Sequence, residues 1–383
     1  MPIHFSVAEL TERRAAASER MRARNLGGLL MFRQESMYYL TGYDTFGYCF
    51  LQCLFLGADG KLFLLTRAPD LRQARHTSVV DDIRIWADSD AINPADALRD
   101  VLGEYGQRGA RLGIELDAYG LTARNGRRVD QALKGFCGLE DASDLVSTLR
   151  LRKTPGEIEY VRRAAALADD ALDEAIKLAH AGAFEGDILA AMQGAVFRGG
   201  GDYPGNEFII GSGDDALLCR YHSGRRHLEP RDQLTLEFAG VYRRYHACLM
   251  RTIVVGDPPP QHADMHGATV AAMEACLEAL RPGEPMGGVF DAHARIMDEG
   301  GYRAHRLNAC GYSLGATYAP TWMDYPMFYT GNPVAIQPGM VFFLHMILMN
   351  SDAARAMTLG QTVLVTAAGY ECLSRHGLDL IVG

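Results

Sequence analysis

The segment LTLEFAGVYRRYHACLMRTIVVG, residues 234–256, most constrains how this chain can fold. It predicts two strands joined by a tight polar turn, and most of it is apolar enough to be core. It nevertheless carries Glu237, Tyr245, His246 and Arg251. A buried carboxylate is unfavourable unless it is paired, so the ribbon predicts a polar cluster within a core sheet.

The side-chain directions along this ribbon follow from period-two alternation. Alternation predicts that Leu236 and Phe238 point into the core, away from the side chain of Glu237. By parity, Glu237, Tyr245 and Arg251 are expected to share a face, and His246 would need a bulge to join them. A structural Glu237–Arg251 salt bridge is the alternative to a functional carboxylate.

Composition describes an ordinary globular chain. The 383 residues are 48% hydrophobic and 22% charged, which suits two domains. The net charge of −9 and the lack of a dense Lys/Arg block argue against nucleic-acid or anionic membrane partners. The N-terminus has no apolar signal core, and we expect a soluble cytoplasmic protein. The eight cysteines are scattered without Cys-x-x-Cys spacing and are expected to be reduced.

The chain changes character near residue 150. Before it, helical and strand-like segments alternate, which predicts a three-layer α/β domain over residues 1–150. After it, a long helix is predicted to begin at Pro155, with Thr154 as N-cap and Glu157 completing a capping box. The second domain is therefore predicted to span residues 151–383.

A faint repeat runs through the second domain. Two segments with an offset of 101 residues, beginning at Gly182 and Gly283, each follow an apolar helix and precede strand-like sequence. Two helix–helix–strand halves related by a pseudo-twofold axis would place a curved sheet between outer helices. Chance similarity of glycine-bounded helices is the other interpretation.

Several motifs together resemble the pita-bread fold of the M24 peptidase family, which includes aminopeptidase P, prolidase, methionine aminopeptidase and creatinase. They are RKTPGEIEYVRRAA, GYSLG, IQPGMVFF and QTVLVTAAGYECLS, in this order along the chain. The resemblance covers essentially the whole chain. It implies a creatinase-type N-terminal α/β domain followed by an α+β pita-bread domain.

The metallopeptidases of this family bind two divalent metals with two Asp, one His and two Glu. At the corresponding positions this chain has Glu237, Cys248, Tyr312, His345 and Gly360. One carboxylate cannot offset two dications, so no dinuclear metal centre and no cofactor are expected. A single Zn²⁺ or Fe²⁺ on Glu237, Cys248 and His345 is the alternative.

The stretches GGDYP, LEFAGVYRRYHACLMRT, TGYD and GYSLGATYAPTW are similar to the ectoine hydrolase group, which works without metal. This resemblance implies Glu237 as nucleophile. It also implies aromatic and imidazole groups around a compact polar substrate. The chain departs from that group at Thr321 and Asp324, where the pattern has Asp and Glu, so ectoine itself is not secured as the substrate.

The predicted catalytic residues are Glu237, His222, His345 and Tyr245. A histidine, His222 first and His345 second, would transfer the proton, and Tyr245 with Arg251 would orient Glu237 and keep it ionised. The predicted substrate contacts are Tyr312, Arg251, His246, Trp322, Asp324, Tyr43 and Asp202. For most of these an ordinary structural role is the alternative: an exposed loop histidine at 222, a core histidine at 345, packing at 322 and a turn at 202.

These residues predict a metal-independent hydrolase of a C–N bond in a small polar amidine, guanidine or amide, related to creatinase and ectoine hydrolase. An Xaa-Pro metallopeptidase and a catalytically inactive pita-bread binding module are the alternatives. Resemblance to the creatinase group and the aromatic stretch TGYDTFGYCF also predict a homodimer, in which the N-terminal domain of one subunit covers the active site of the other.

Overall fold

The computed structural model describes residues 3–89, 91–220 and 224–383. The chain divides into two compact units, Met1–Arg150 and Leu151–Gly383. Within the described ranges, no helix combines the length and the apolar character needed to span a bilayer.

The first unit contains a mixed sheet with the strand order β4-β3-β2-β1-β5-β6. Its strands are β1 (Gly28–Met31), β2 (Cys53–Gly57), β3 (Leu62–Arg67), β4 (Ile83–Trp86), β5 (Arg111–Ile114) and β6 (Gly138–Asp141). Its helices are α1 (Val7–Ala23), α2 (Gln34–Thr41), α3 (Leu71–Thr77), α4 (Pro94–Glu104), α5 (Ala123–Leu133) and α6 (Ser143–Arg150).

Separate apolar cores cover the two faces of this sheet. From β1, Leu29 belongs to the core that includes Met21 of α1, whereas its neighbour Leu30 belongs to the core that includes Leu98 of α4 and Val129 of α5. Successive strand residues point to opposite faces, so every β1 residue is buried. The predicted three-layer α/β arrangement is confirmed.

The second unit contains one mostly antiparallel sheet with the strand order β11-β10-β12-β13-β9-β8-β7, to which β14 and β15 add at β13 and β9. Its strands are β7 (Ile209–Ser212), β8 (Asp232–Tyr242), β9 (Tyr245–Val255), β10 (Gly311–Ser313), β11 (Asp324–Met327), β12 (Val341–Asn350), β13 (Arg355–Thr366), β14 (Gly369–Cys372) and β15 (Ile381–Val382). Its helices are α7 (Pro155–Leu178), α8 (Glu185–Arg198), α9 (Pro260–Ala279) and α10 (Met286–Glu299).

Helix α7 begins where the sequence predicts. The Thr154 side chain accepts from the backbone N–H of Glu157, and the Glu157 side chain accepts from the N–H of Thr154. This capping box satisfies two backbone donors at the helix start, and Pro155 occupies the first turn, where it displaces no hydrogen bond.

The repeat in the sequence corresponds to a structural repeat. The bounds of α10 are those of α8 displaced by 101 residues. The glycines that follow the two helices, Gly200 and Gly301, have φ values of 81° and 82°. Residues with a side chain rarely adopt this conformation, so both halves end their helices in the same way. The two helices therefore correspond in length and in the way they end, as the repeat predicts.

Strands β8 and β9 are joined by a two-residue turn at Arg243 and Arg244, whose φ values are 49° and 68°. Two positive φ values are typical of a type I′ hairpin turn, which asparagine and glycine adopt more readily than arginine. The turn is held by Asp202 Oδ2, which accepts from the Arg244 N–H at 3.1 Å. Asp202, which the sequence predicts as a substrate contact, is therefore hydrogen-bonded to the hairpin turn.

Helices α7 and α9 pack on one face of this sheet, which we call the helix face. At Gly240 of β8, an added Cβ would lie 2.0 Å from the carbonyl oxygen of Ala164, so only glycine lets α7 approach this closely. The opposite face, which we call the site face, carries the candidate functional residues.

Candidate active site

One row of residues crosses four strands on the site face. Glu237 of β8 pairs with Met250 of β9, Met250 pairs with Gly360 of β13, and Gly360 pairs with His345 of β12. Directly paired residues project from the same face, so Glu237 and His345 lie at the two ends of this four-strand row, which Ile209 of β7 extends beyond Glu237. Gly360 has to be glycine, because a Cβ there would lie 2.5 Å from the Phe343 ring and 2.8 Å from the Cβ of Met250.

Tyr312 of β10 contacts both ends of this row. Its hydroxyl donates to Glu237 Oε1 at 3.2 Å, and its ring centroid lies 5.6 Å from that of His345. The indole Nε1–H of Trp322 donates to the same hydroxyl at 2.8 Å. The fold therefore brings together four of the predicted site residues, Glu237, His345, Tyr312 and Trp322.

Burial dominates the electrostatics of Glu237, which is 9% exposed. Burial raises the pKa of Glu237 to about 7, while the Tyr312 hydrogen bond and the charge of Arg220 act in the opposite direction. At neutral pH this carboxyl group is therefore divided between its acidic and basic forms, a property common among catalytic carboxylates.

His345 is held in its neutral form. Burial, reinforced by His293 and Arg220, lowers the pKa of His345 to about 3. Its Nδ1 is buried and has no hydrogen-bond partner among the residues that the structure describes. The neutral ring keeps a nitrogen lone pair that can accept a proton, but a pKa this low makes His345 a weak base at neutral pH.

The predicted grouping of Glu237 with Tyr245 and Arg251 on one face is wrong. In the hairpin, Ala239 pairs with Cys248 and Val241 pairs with His246, which places the two partners on the face of Glu237. Because the connecting turn has two residues, odd numbers on β8 face even numbers on β9. No bulge is needed for His246 to reach the site face.

Tyr245 and Arg251 point to the helix face. The Tyr245 hydroxyl donates to Glu157 Oε1 of α7 at 2.6 Å. The Arg251 guanidinium donates to the carbonyl oxygens of Gly360 at 2.6 Å and Gly377 at 3.1 Å. The expectation that these residues orient Glu237 is corrected: both are bound to other groups, and Arg251 pairs across the ribbon with Leu236.

His246 lies on the site face but is fully hydrogen-bonded. Its Nε2 accepts from the N–H of Gly205 at 2.8 Å, and its Nδ1 lies 2.9 Å from the carbonyl oxygen of Arg244. Burial lowers the pKa of His246 to about 4, so the ring is neutral and Nδ1 carries the proton for Arg244. This histidine ties the loop at Gly205 to the hairpin.

Two further predicted substrate contacts are buried. Asp324 is 7% exposed, and its Oδ1 accepts from the N–H of Tyr325 at 3.0 Å. In the first unit, Tyr43 is fully buried and its hydroxyl lies 3.2 Å from Gln52 Oε1. Tyr43 thus belongs to the core of that unit, and a role in binding substrate has no support from its position there.

His222, the first choice for proton transfer, lies outside the described residues. The chain that follows it is held by the buried Glu185, whose Oε2 accepts from the N–H groups of Arg225 and Arg226 at 2.8 and 3.0 Å. His227 forms a β-bridge with Phe184.

Arg220 is not among the site residues that the sequence predicts. Arg220 is the cation that lowers the pKa of Glu237. The signal in the sequence is the positive charge of Arg220, which directly precedes Tyr221 and His222.

The donor set does not fit a two-metal centre. Gly360 has no side chain, and Tyr312 donates to the carboxylate that would have to bind metal. Burial and the charge of Glu237 raise the pKa of the Cys248 thiol well above its usual range, whereas a metal ligand must be a thiolate. Within the described part of the chain, no three His, Cys, Asp or Glu side chains are arranged to hold a metal ion. The set Glu237, Cys248 and His345 is therefore not arranged as a metal site either.

A three-layer N-terminal domain, followed by a sheet built from two helix–helix–strand repeats, defines the creatinase-type class of pita-bread hydrolases. Residues 159–367 match metallopeptidase family M24, and residues 13–152 match the creatinase/prolidase N-terminal domain. The chain belongs to metallopeptidase family M24.

Known proteins resemble the chain over its whole length. An uncharacterised hydrolase/peptidase of Sinorhizobium fredii is 29% identical over 392 residues, and the alignment covers 99% of each protein. Ectoine hydrolase of Halomonas elongata is 27% identical over 381 residues, 94% of each chain. The crystal structure of a prolidase from Thermococcus sibiricus has a TM-score of 0.87 at 20% identity, covering 97% of this chain and 99% of the prolidase. These comparisons confirm the predicted family and fold.

Proposed function

We propose that this hydrolase opens a C–N bond in a small polar amidine, guanidine or amide without a bound metal ion. The observation that carries the proposal is Glu237: a carboxyl group with a pKa of about 7 stands at the position where family metallopeptidases have a metal ligand. The whole-length similarity to an ectoine hydrolase supports the same reading.

In this reaction Glu237 attacks the electrophilic carbon, or activates a water molecule that attacks it. The C–N bond then breaks, the nitrogen leaves with a proton that comes from water, and water supplies the oxygen of the product. Either role requires the carboxylate form. An amidinium or guanidinium group would supply a positive charge that favours this form, because the buried carboxylate is otherwise stabilised chiefly by Tyr312 and Arg220. Among the three substrate types, the charge of the site therefore favours a cationic one.

His345 is the described histidine best placed to accept a proton during this reaction. Its ring is neutral near pH 7 and lies beside Tyr312 at the other end of the row. His222 stays a prediction for the same task.

An Xaa-Pro metallopeptidase is the second candidate, favoured by the family match itself. It would need metal ligands that differ from the family set, since Cys248, Tyr312 and Gly360 occupy three of the five positions. A binding module without activity is the third candidate.

A substrate screen separates the three. Cyclic amidines, guanidino acids, compact osmolytes and Xaa-Pro dipeptides would be tested for thermal stabilisation, since a ligand that binds the folded state raises apparent stability by mass action. Each stabilising compound would then be tested for turnover, with and without chelator and with elemental analysis of the protein. We expect chelator-resistant hydrolysis of an amidine or guanidine. Chelator-sensitive hydrolysis of a dipeptide, with stoichiometric metal, would support the metallopeptidase, and binding without turnover the third candidate.

A further inference from the structure

Three buried side chains form one directed hydrogen-bond relay that ends on Glu237. Trp322 Nε1 lies 2.8 Å from the hydroxyl oxygen of Tyr312, and that oxygen lies 3.2 Å from Glu237 Oε1. Trp322 is 1% exposed and Tyr312 3%. The relay is thus shielded from solvent along its length.

The hydrogens that each side chain can donate set the direction of the relay. An indole nitrogen can only donate, whereas a tyrosine hydroxyl has one hydrogen and can also accept. Because Trp322 supplies the hydrogen in the first bond, the hydroxyl hydrogen of Tyr312 is left for Glu237. Hydrogen bonds in such a chain polarise one another, so the Trp322 bond makes Tyr312 a stronger donor.

Tyr312 stays protonated while Glu237 titrates. Burial and the charge of Glu237 raise the pKa of Tyr312 well above its usual range. The second bond, at 3.2 Å, is long for two oxygens. It has room to shorten when Glu237 becomes charged, as is common for catalytic hydrogen bonds before substrate binds.

Trp322 is itself held at both ends of its backbone. Its N–H donates to Asn206 Oδ1 at 3.2 Å, and its carbonyl oxygen accepts from Thr317 Oγ1 at 3.4 Å. A Cβ at Gly205 would lie 2.8 Å from the Trp322 nitrogen, so the loop needs glycine to pack against this segment. The indole is therefore presented to Tyr312 in a fixed position.

We propose that Trp322 is a positioning residue, whose indole N–H fixes the Tyr312 hydroxyl so that its hydrogen is directed to Glu237. The relay stabilises the carboxylate form of Glu237 and leaves the second carboxylate oxygen to the reaction. Trp322 then acts through Tyr312 rather than by contact with the substrate. This role rests on the proposed function only for its effect on turnover, since the relay is testable without substrate.

The surroundings of Glu237 make its titration readable. The titratable and charged side chains that interact with it in the described structure are Tyr312, Cys248, Cys219 and Arg220, and His345 lies beside Tyr312. Burial raises the pKa of both thiols, and His345 is already neutral. Of this group only Glu237 changes charge near pH 7.

The test is a pH titration of the Glu237 carboxyl band by difference infrared spectroscopy, with Glu237→Gln to assign the band. We expect Tyr312→Phe and Trp322→Phe each to raise the apparent pKa by about one pH unit, the size of one hydrogen bond to a charged group. The double variant should resemble Tyr312→Phe alone, because both changes break one relay. The matched control is Trp86→Phe, since the Trp86 Nε1–H donates to the Leu51 carbonyl oxygen at 3.0 Å in the first unit.

The proposal is overturned if Trp322→Phe titrates like Trp86→Phe, or if the double variant shifts by the sum of the two single shifts.

If Trp322→Phe fails to fold, the fluorescence of Trp322 itself, measured against pH, provides the test. The chain has two tryptophans, so Trp86→Phe leaves Trp322 as the sole indole emitter. Its emission should change near pH 7, and this change should disappear when Tyr312→Phe is added. An unaltered response would contradict the relay. None of these readouts depends on substrate, so an inactive protein with an intact relay would count only against the proposed function.

Discussion

Glu237 and His345 stand at opposite ends of one row across four strands, and burial moves their pKa values in opposite directions. The pKa of Glu237 is raised to about 7 and that of His345 is lowered to about 3. Desolvation penalises the charged form of each group, which is a carboxylate in one case and an imidazolium in the other. The row therefore combines a carboxyl group that titrates at neutral pH with an imidazole that stays neutral.

The stability of the protein should fall with rising pH through the titration of Glu237. The unfolded chain loses this proton near pH 4.5 and the folded chain near pH 7, so the folded state binds more protons in between. The cost reaches about 3 kcal/mol above pH 7. Glu237→Gln should therefore gain stability relative to wild type between pH 5 and 8, as measured by denaturant unfolding. The exposed Glu207→Gln is the control, and a difference that is constant with pH would refute the assignment.

Turnover should require the ionised form of Glu237. On an identified substrate, we expect kcat/KM to rise with pH through about 7, the pKa of this group in the free protein. Glu237→Gln should fold, bind substrate and lose several orders of magnitude in kcat, the scale of removing a nucleophile. Near-native activity of this variant would make Glu237 a structural residue.

His345→Asn keeps a polar side chain but removes the proton acceptor. If His345 is the base, kcat should fall by about 10²- to 10⁴-fold, while the thermal midpoint changes little. His262→Asn is a matched control, because His262 of α9 is also a buried histidine with a lowered pKa, and its Nε2 is hydrogen-bonded to Gln233 rather than to a site residue. Equal effects of the two substitutions on kcat would argue for packing alone.

Tyr245→Phe tests the assignment of Tyr245 to the helix face. The change removes the donor to Glu157 Oε1, and we expect a loss of about 1–2 kcal/mol in the free energy of unfolding. The titration of Glu237 should stay unchanged, in contrast to Tyr312→Phe. A shift in the pKa of Glu237 in Tyr245→Phe would contradict this assignment and place Tyr245 next to Glu237.

We also predict that the protein is a homodimer. In the first unit Phe46 is 81% exposed and Phe50 is 46% exposed, which is unusual for side chains of this size in an aromatic-rich segment. Light scattering at micromolar concentration should give the mass of two chains. Phe46→Asp should weaken the association, whereas Tyr370→Asp, on an exposed residue of the second unit, should not. A monomer mass for the wild type would exclude the prediction.

Local features of the molecule could be predicted from the sequence because their causes are local. The capping box at Thr154 depends on residues three apart, and the glycines after α8 and α10 meet a local backbone requirement. Leu236 and Phe238 are buried and flank Glu237, as alternation along one strand requires. The family resemblance also predicts Glu237, Tyr312 and His345 as one group.

Only the tertiary structure decided which face each residue of the hairpin occupies. Odd and even residues alternate between the two faces within a strand, but the two-residue turn pairs odd positions of β8 with even positions of β9. His246 therefore lies on the site face and Arg251 on the helix face. The family resemblance grouped Tyr312 with Glu237, but no local pattern predicts the hydrogen bond between them, because the two residues are 75 positions apart. Strand order brings such residues together, and strand order arises from packing of the whole sheet rather than from any short stretch of sequence.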